Sequence, residues 1–270
     1  MHTQHRAPAC AKTMAEHTDE KQPDTAPPGR PTAAPGPPGY LLELVTSWDE
    51  TPTLRGLRLR VPRALGAGYR VPGQYLDLGH PQHGRGYFAL AAAPPDPHEV
   101  DTVLELLVRR GSPLPDALAE LVPGPTAVRA AAVLGAGFPI DDGTHPLLLV
   151  ASGSGIAPLR AVLQQRTREG GSLRHVALYY GERSEADLAY RGELEALRDR
   201  GLQLELVLSR PADTWSGATG RVQGRLFAAP PPWLGPSTVA LLCGQPEMIT
   251  ETSARLAERG VPASRIRVNY

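Results

Sequence analysis

Three glycine-containing segments in the second half of the chain most constrain its fold. They occupy residues 150–158 (VASGSGIAP), 179–183 (YYGER) and 242–248 (LCGQPEM), and each stands where an apolar run ends and a helical pattern begins. Backbone N–H groups at the start of a helix favour phosphate. Three strand-end loops in this order therefore predict a dinucleotide site.

The pattern around these loops predicts an α/β domain over residues 146–270. Short apolar runs alternate with helical stretches, including a helix expected over 186–198. Strands that alternate with helices form a parallel sheet covered on both faces. Ligands of such sheets bind beyond the carboxyl ends of the strands, which is where all three loops fall.

Residues 40–142 show a different sequence pattern, with six short strand-like segments separated by Gly, Pro and charged turns. One of these segments covers residues 87–92. Many short strands at this spacing favour an antiparallel barrel or sandwich. One helix, over residues 114–121, interrupts the pattern and has prolines at its start.

The first 39 residues contain no Val, Ile, Leu, Phe, Tyr or Trp and are rich in proline. Such a segment cannot offset its ordering entropy by burial, so we expect a disordered tail. It has no apolar signal-peptide core and too many acidic residues for a transit peptide, which favours a cytoplasmic protein.

Composition narrows the possible functions. The 270 residues carry a formal net charge of zero, and no apolar run is long enough to span a membrane. We therefore expect no nucleic-acid partner and no membrane span. The two cysteines, Cys10 and Cys243, cannot supply the roughly four thiolates of an iron–sulfur cluster, and they fit a reducing compartment.

Glycines at positions 153 and 155 let backbone approach a pyrophosphate, although a tight turn without ligand has the same signature. Arg183 and the pair Ser209 and Arg210 follow the second and third predicted strands. A guanidinium there can pair with a phosphate on ribose, or can be solvated surface charge.

Two further residues are candidates at this edge. Cys243, which precedes Gly244, can face a cleft or be a buried small hydrophobe. Tyr270, the last residue, can lie flat on a planar ligand or belong to a frayed terminus.

The first domain offers a second candidate site for a pyrophosphate. Gly111 precedes a helix start near Pro115, where free N–H groups are expected at Asp116 and Ala117. An ordinary turn followed by a capped helix is the alternative.

Together these segments resemble the ferredoxin–NADP reductase-like family of flavoprotein reductases, over residues 40–270. The motifs that carry the resemblance are, in chain order, PGQY at 72–75, a flavin strand at 88–94, GAGFP at 135–139, GSGIAP at 153–158, YGER at 180–183, LSR at 208–210 with Trp215 and Gly220, and CGQP at 243–246 with Met248. The lack of cluster cysteines is similar to the small, stand-alone branch of the family.

The resemblance implies a two-domain protein, with an antiparallel FAD-binding β-barrel over 40–142 and an NAD(P)-binding parallel-sheet domain over 146–270. It implies hydride transfer from NAD(P)H to the flavin N5, with Cys243 beside the nicotinamide and Tyr270 stacked on the flavin. Arg183, Ser209 and Arg210 favour NADP over NAD. The electron acceptor is expected to be a separate redox protein or small oxidant.

The flavin strand departs from the family's Arg-x-Tyr-Ser-x-x-Ser pattern, and two registers are possible. A register starting at Arg85 places Tyr87 at the Tyr position, whereas one aligned by Pro94 places Phe88 there and Ala89 at the Ser position. We prefer the second, because Ala91 and Pro94 then match. Ala89, Ala92 and Pro115 replace hydroxyl residues expected to hold the flavin or its phosphates, and backbone N–H groups can carry part of that role.

The predicted site therefore has two catalytic residues, Cys243 and Tyr270, and no metal ligand. The predicted cofactor-binding residues are Gln74, Tyr75, Tyr87, Phe88, Ala89, Leu90, Ala91, Gly111, Asp116, Ala117, Gly153, Ser154, Gly155, Ile156, Ala157, Pro158, Arg183, Ser209, Arg210, Gly244, Gln245 and Met248.

The sequence leaves two alternatives to a stand-alone FAD-dependent oxidoreductase. One is a reductase subunit that docks onto a partner enzyme and feeds it electrons. The other is a nucleotide-sensing module that keeps the fold without redox activity, an idea motivated by the missing flavin hydroxyls.

Overall fold

Two six-stranded sheets, one antiparallel and one parallel, organise the computed structural model of this protein. The structure describes residues 39–96, 102–139 and 144–269. Apart from Gly39, the predicted tail lies outside the described residues, and so do residues 140–143 at the predicted domain boundary. The disorder of the tail and the domain limits therefore stay predictions.

The antiparallel sheet has the strand order β4-β3-β6-β1-β2-β5, and a bridge between Leu90 and Leu106 joins its two edges. The sheet is therefore barrel-like, which confirms the antiparallel expectation and selects the barrel over the sandwich. Its interior holds fully buried leucines such as Leu57 and Leu76. Its elements are β1 Tyr40–Thr51, β2 Leu54–Val61, α1 Arg63–Gly66, β3 Tyr75–His80, β4 Gly84–Ala89, β5 Thr102–Arg109, α2 Pro113–Ala119 and β6 Gly124–Leu134.

The second sheet is parallel throughout, with the order β10-β9-β8-β7-β11-β12, as the alternation of strands and helices predicted. Its elements are β7 Leu147–Ser152, α3 Ile156–Arg168, β8 Val176–Glu182, α4 Arg191–Asp199, β9 Gln203–Leu208, β10 Ala218–Thr219, α5 Val222–Ala228, β11 Val239–Cys243, α6 Pro246–Glu258 and β12 Ile266–Val268.

Alternating side chains of the central strand β7 explain why both faces of this sheet are covered. Leu147 and Leu149 pack into a cluster with α3 and α4, whereas Leu148 and Val150 pack into another with α5 and α6. Successive strand residues point to opposite faces, so a continuous apolar strand needs helices on both.

Tyr190 separates two elements that the sequence predicted as one helix over 186–198. Its backbone is left-handed, with φ of 56°, and α4 begins only at Arg191. A single 3₁₀ turn, Glu185–Asp187, precedes it and is capped by Ser184. The flavin strand also differs, since β4 covers Gly84–Ala89 rather than 87–92.

Contacts between the barrel and the parallel sheet fix how the two meet. The apolar cluster around α3 extends to Leu54, Leu107 and Phe138 of the first half. Within it, Arg160 of α3 reaches the barrel, where its Nη1 donates to the Glu105 carboxylate at 2.6 Å. The two sheets are therefore joined by an apolar contact with a buried ion pair inside it.

Candidate functional site

A cleft of about 1310 Å³ lies between the two sheets. The carboxyl ends of β7, β8, β9 and β11 form one wall, and β3, β4 and β5 of the barrel form the other. Ordinary small-molecule pockets measure about 300–1,000 Å³. The cleft is therefore larger than an ordinary pocket, and it lies at the strand edge that the three loops predicted.

The glycine-rich loop after β7 forms a single 3₁₀ turn, Gly153–Gly155, followed by α3. Gly153 has a φ of +62°, a conformation that glycine adopts without steric penalty. A Cβ on Gly155 would lie 2.2 Å from the backbone oxygen of Cys243. The turn thus packs backbone against backbone on the end of β11.

A second backbone contact joins the same two loops. Gly244 has a φ of +146°, and a Cβ there would lie 2.2 Å from the Ser152 Oγ. That hydroxyl accepts the N–H of Gln245 at 2.9 Å, just before α6 begins. The segments around Gly153 and Cys243 therefore form one rigid wall of the cleft.

Cys243 lies in this wall as a neutral thiol. Although part of the residue reaches the cleft, the thiol itself is enclosed, and its loss of solvation raises the pKa to about 12. The thiolate is the nucleophilic form of cysteine. At neutral pH this thiol can pack against a ligand but is poorly suited to attack one.

Three arginines, Arg183, Arg210 and Arg221, line the cleft near the ends of β8 and β9 and the start of α5. Backbone bonds hold the two strand ends together, as the Arg210 N–H donates to the Arg183 carbonyl at 2.7 Å. Within the described part of the chain, none of these guanidinium groups has a carboxylate within 4.0 Å. Such groups are available to a phosphate.

Aromatic side chains dominate the barrel wall. Tyr75 of β3 and Tyr87 of β4 meet edge to face with ring centroids 5.4 Å apart, and Tyr87 is 68% exposed. Phe88 packs partly on the barrel core, and Phe88 and Ala89 both line the cleft. Exposed aromatic faces of this kind suit a planar ring.

Arg85 is held away from this wall. Its guanidinium pairs with the buried carboxylate of Asp77 on the neighbouring strand, with Nε 3.2 Å from Oδ1. Because Tyr87 and Phe88 both line the cleft, the choice between the two registers of the flavin strand stays a prediction.

The structure places many of the predicted residues together. Those that line the cleft are Tyr75, Tyr87, Phe88, Ala89, Gly153, Ser154, Gly155, Ala157, Arg183, Ser209, Arg210, Cys243, Gly244, Gln245 and Met248. Tyr270 lies outside the described residues, so its placement stays a prediction.

Three predicted residues of the flavin region do not line the cleft. The Gln74 side chain accepts the N–H groups of Arg70 and Val71 and donates to the Gly135 carbonyl. Leu90 and Ala91 are fully buried in the two cores. These side chains therefore support the barrel and its contact with the parallel sheet instead of bordering the cleft.

The predicted pyrophosphate site at Gly111 is also outside the cleft. The Gly111 N–H donates to the Asp116 carboxylate at 2.7 Å, and the Asp116 N–H donates to the Ser112 carbonyl at 2.9 Å. The expectation of a free N–H at Asp116 is therefore wrong, because the loop folds back on itself. Neither Asp116 nor Ala117 lines the cleft, although Pro115 does.

Ile156 and Pro158 are buried in the first turn of α3 and do not line the cleft. The Ile156 N–H already donates to the Gly153 carbonyl. The glycine-rich turn therefore borders the cleft together with Ala157 of α3, whereas Ile156 and Pro158 do not.

The sequence analysis missed an ion pair that crosses the cleft. Arg109 ends β5 of the barrel, and its Nη2 lies 3.6 Å from a carboxylate oxygen of Glu182, which ends β8. Burial raises the pKa of Glu182 despite the nearby Arg109. Arg109 directly follows a strand predicted over 102–108, and Glu182 lies in the YGER motif beside Arg183; these positions were the available signal.

The fold and the cleft together define a two-domain dinucleotide-binding protein. Residues 149–254 match the family model described as the oxidoreductase NAD-binding domain. The chain is 33% identical over 209 residues to ferredoxin–NADP reductase B of Sorangium cellulosum (strain So ce56), an alignment that covers 73% of this chain and 83% of that protein.

Solved structures share the fold. The ferredoxin reductase in carbazole 1,9a-dioxygenase superimposes with a TM-score of 0.72 at 22% identity, over 85% of this chain and 68% of that one. A ferredoxin NADP⁺ reductase from Neisseria gonorrhoeae with bound FAD and NADP gives 0.67 at 20% identity, over 84% and 96%.

This chain belongs to the ferredoxin–NADP reductase-like family of oxidoreductases. It is an NAD(P)H-dependent, flavin-containing electron-transfer reductase that uses FAD and NAD(P)H as cofactors. Among the described residues, every helix is too short or too polar to cross a bilayer.

The close packing of Gly155 on Cys243 predicts a steric cost. Replacing Gly155 with Ala should lower the free energy of unfolding by about 1–3 kcal/mol, because the new methyl group overlaps rigid backbone. Urea denaturation measures this change. Gly192→Ala is the matched control, since nothing lies within 4 Å of a Cβ there in the first turn of α4. Equal stability of the two variants would contradict the contact.

The enclosed thiol of Cys243 predicts low reactivity. In the folded protein at pH 8, iodoacetamide should modify it about 100-fold more slowly than it modifies glutathione, because a raised pKa leaves little thiolate. Peptide mass spectrometry follows the reaction, and urea-unfolded protein is the control. A glutathione-like rate in the folded state would show that the thiol is accessible and ionised.

Proposed function

We propose that this protein binds NAD(P)H at the carboxyl edge of its parallel sheet and passes a hydride to FAD held against the barrel. The observation that supports this most directly is the cleft, whose walls come from the two sheets. Glycine backbone and Cys243 lie on one wall, and aromatic residues lie on the other. FAD, when bound, supplies a ring that takes up two electrons and passes them on; the protein positions the reactants.

The nucleotide wall fits a pyrophosphate through its backbone. Gly153 and Gly155 have no side chains to obstruct it, and Ser154 adds a hydroxyl between them. In this proposal the turn receives the pyrophosphate, and Cys243 and Gly244 border the nicotinamide. Because the Cys243 thiol is neutral, its role is to pack against the ring and polarise its surroundings rather than to form a covalent bond.

The barrel wall fits the flavin through aromatic faces. Tyr75, Tyr87 and Phe88 offer rings, and the hydroxyl missing at Ala89 leaves polar contact to backbone groups and to other residues of the cleft. Thr53 and Arg109 border the same wall and carry polar side chains. We assign flavin binding to this set instead of the Gly111 loop, whose donors are already engaged.

Tyr270 retains the role implied by the family resemblance. As the last residue it would cover the flavin when no nicotinamide is present, and the nucleotide would displace it. Asn269, which precedes it, lines the cleft, and its N–H donates to the Leu242 carbonyl at 3.2 Å. That bond holds Asn269 beside β11, which supports this role for the residue that follows it.

We further propose that NADPH is the preferred nucleotide. The residues Arg183, Ser209, Arg210 and Arg221 line one part of the cleft, where their guanidinium groups and hydroxyl can bind a phosphate on the adenosine ribose. The electrons then leave for a separate redox protein or small oxidant. A reductase subunit that serves a larger complex uses the same site and differs only in its acceptor.

The absorption spectrum tests the main proposal. Purified protein should show the visible bands of oxidised flavin, and anaerobic NADPH should bleach them faster than NADH does. Air should restore the bands, which serves as the control for reversible reduction. A colourless protein that still binds NADPH would instead indicate the nucleotide-sensing alternative.

The arginine cluster predicts a nucleotide-specific effect. Arg210→Ala should raise the KM for NADPH about 10- to 100-fold, the loss expected for a charge-assisted hydrogen bond, and should change the KM for NADH less than about twofold. Steady-state kinetics with both nucleotides measure this. Arg198→Ala is the matched control, because the Arg198 side chain is 55% exposed on α4 and does not line the cleft. Equal effects on both nucleotides would remove Arg210 from the 2′-phosphate site.

A further inference from the structure

Arg160 lies one turn into α3, in the interface between the two sheets, where its guanidinium bonds residues of both halves. Its Nη1 donates to the Ala91 carbonyl at 2.8 Å and to Glu105 at 2.6 Å, and its Nε donates to Glu193 at 2.6 Å. The guanidinium also lies 4.1 Å from the ring centroid of Tyr190. Only 8% of the residue is exposed.

This cation connects the predicted flavin strand with the predicted pyrophosphate turn. Ala91 lies two residues after the flavin strand, which ends at Ala89, and its N–H donates to the Glu105 carbonyl at 2.8 Å. On the other side, α3 begins where the glycine-rich turn ends. At about 1.5 Å of rise per helical residue, one stiff helical turn separates that nucleotide turn from Arg160.

The contact continues along one face of α3. Gln164 accepts the Ala93 N–H at 3.1 Å, and Arg168 Nη1 donates to the Pro94 carbonyl at 2.7 Å. Arg160, Gln164 and Arg168 are spaced four residues apart and therefore share a face. We call these three residues the α3 polar stripe. Its side chains bond backbone groups of residues 91–94 and thereby fix the position of that segment relative to α3.

A stability role alone does not explain such a stripe. A buried ion pair is on average no more stabilising than apolar residues of similar volume, because desolvation offsets its attraction. A buried ion pair adds a fixed geometry that apolar packing does not impose, because its hydrogen bonds form only when donor and acceptor are correctly placed. The stripe is therefore suited to fixing a distance.

We infer that Arg160 is a positioning residue for hydride transfer, setting the flavin strand at a fixed distance from the glycine-rich turn through the α3 polar stripe. This rests on the proposed function. Hydride transfer requires reacting atoms about 3–3.5 Å apart, and a displacement of about 1 Å can cost 100-fold in rate. Arg160 does not line the cleft. Replacing it should therefore slow hydride transfer without weakening the binding of FAD or of the nucleotide.

Arg160→Lys tests this role. Lysine keeps the charge but cannot reach Ala91, Glu105 and Glu193 together, because it lacks the planar fork. We expect flavin reduction by NADPH, measured by stopped flow, to slow about 10- to 100-fold. The Kd for NADP⁺ should change less than about threefold, and the FAD content should not change.

Arg166→Lys is the matched control. Arg166 lies on the same helix with 7% exposure, and its Nε donates to a backbone carbonyl, that of Ser172, at 2.8 Å within the nucleotide half. It should reduce flavin at the native rate. If Arg160→Lys does not fold, Gln164→Ala provides the second test and should slow reduction about 2- to 10-fold.

Hydrogen exchange supplies a measurement that does not depend on turnover. The amides of Ala91 and Ala93 should exchange faster in Arg160→Lys than in the native protein or in Arg166→Lys. If NADPH fails to reduce the native flavin, the proposed function fails, and unchanged exchange would still reject the stripe on its own.

A native reduction rate in Arg160→Lys overturns the inference. So does a rate loss matched by an equal loss of NADP⁺ affinity, or the same loss in Arg166→Lys. Each of these results would assign Arg160 to general stability or to nucleotide binding.

Discussion

The buried guanidinium of Arg160 is the interaction on which the arrangement of the two sheets depends. A cation removed from water persists only when charge and hydrogen bonds compensate it. Here its partners belong to both halves, with Ala91 and Glu105 from the barrel and Glu193 and Tyr190 from the nucleotide half. A small rotation of one sheet against the other would leave part of that charge unmatched. The need to neutralise the Arg160 guanidinium with partners from both halves therefore helps to set the distance between the two walls of the cleft.

The two walls of the cleft solve different physical problems. In the proposed arrangement, the nucleotide wall approaches a charged pyrophosphate, and it offers glycine backbone at Gly153 and Gly244, where side chains are absent. The barrel wall would hold the flat flavin ring, and it presents the rings of Tyr75 and Tyr87. The Arg109–Glu182 pair spans the space between them and places opposite charges at one point of the cleft.

The sequence was most informative where local pattern and function coincide. Apolar runs ending in glycine identified the parallel sheet, its binding edge and most of the nucleotide wall. Contacts between distant segments were not readable. The Gly111 loop has the sequence of a phosphate-binding turn. In the folded chain, however, the Asp116 carboxylate accepts the Gly111 N–H, and the local sequence pattern does not reveal this bond. Helix α5 was missed because Gly224 interrupts its pattern. Tyr190 broke a predicted helix through a backbone conformation that residue type does not reveal.

The contact between Gly155 and the Cys243 carbonyl has a consequence for redesign. The segments at the ends of β7 and β11 are about ninety positions apart in sequence, yet their backbones pack directly against each other. A graft from a relative that replaced one segment alone would meet an unmatched surface. The arginine-bearing ends of β8 and β9 have no such constraint on their side chains. In the proposed arrangement, nucleotide preference could therefore be changed one side chain at a time, whereas the two segments that border the nicotinamide would have to be exchanged together.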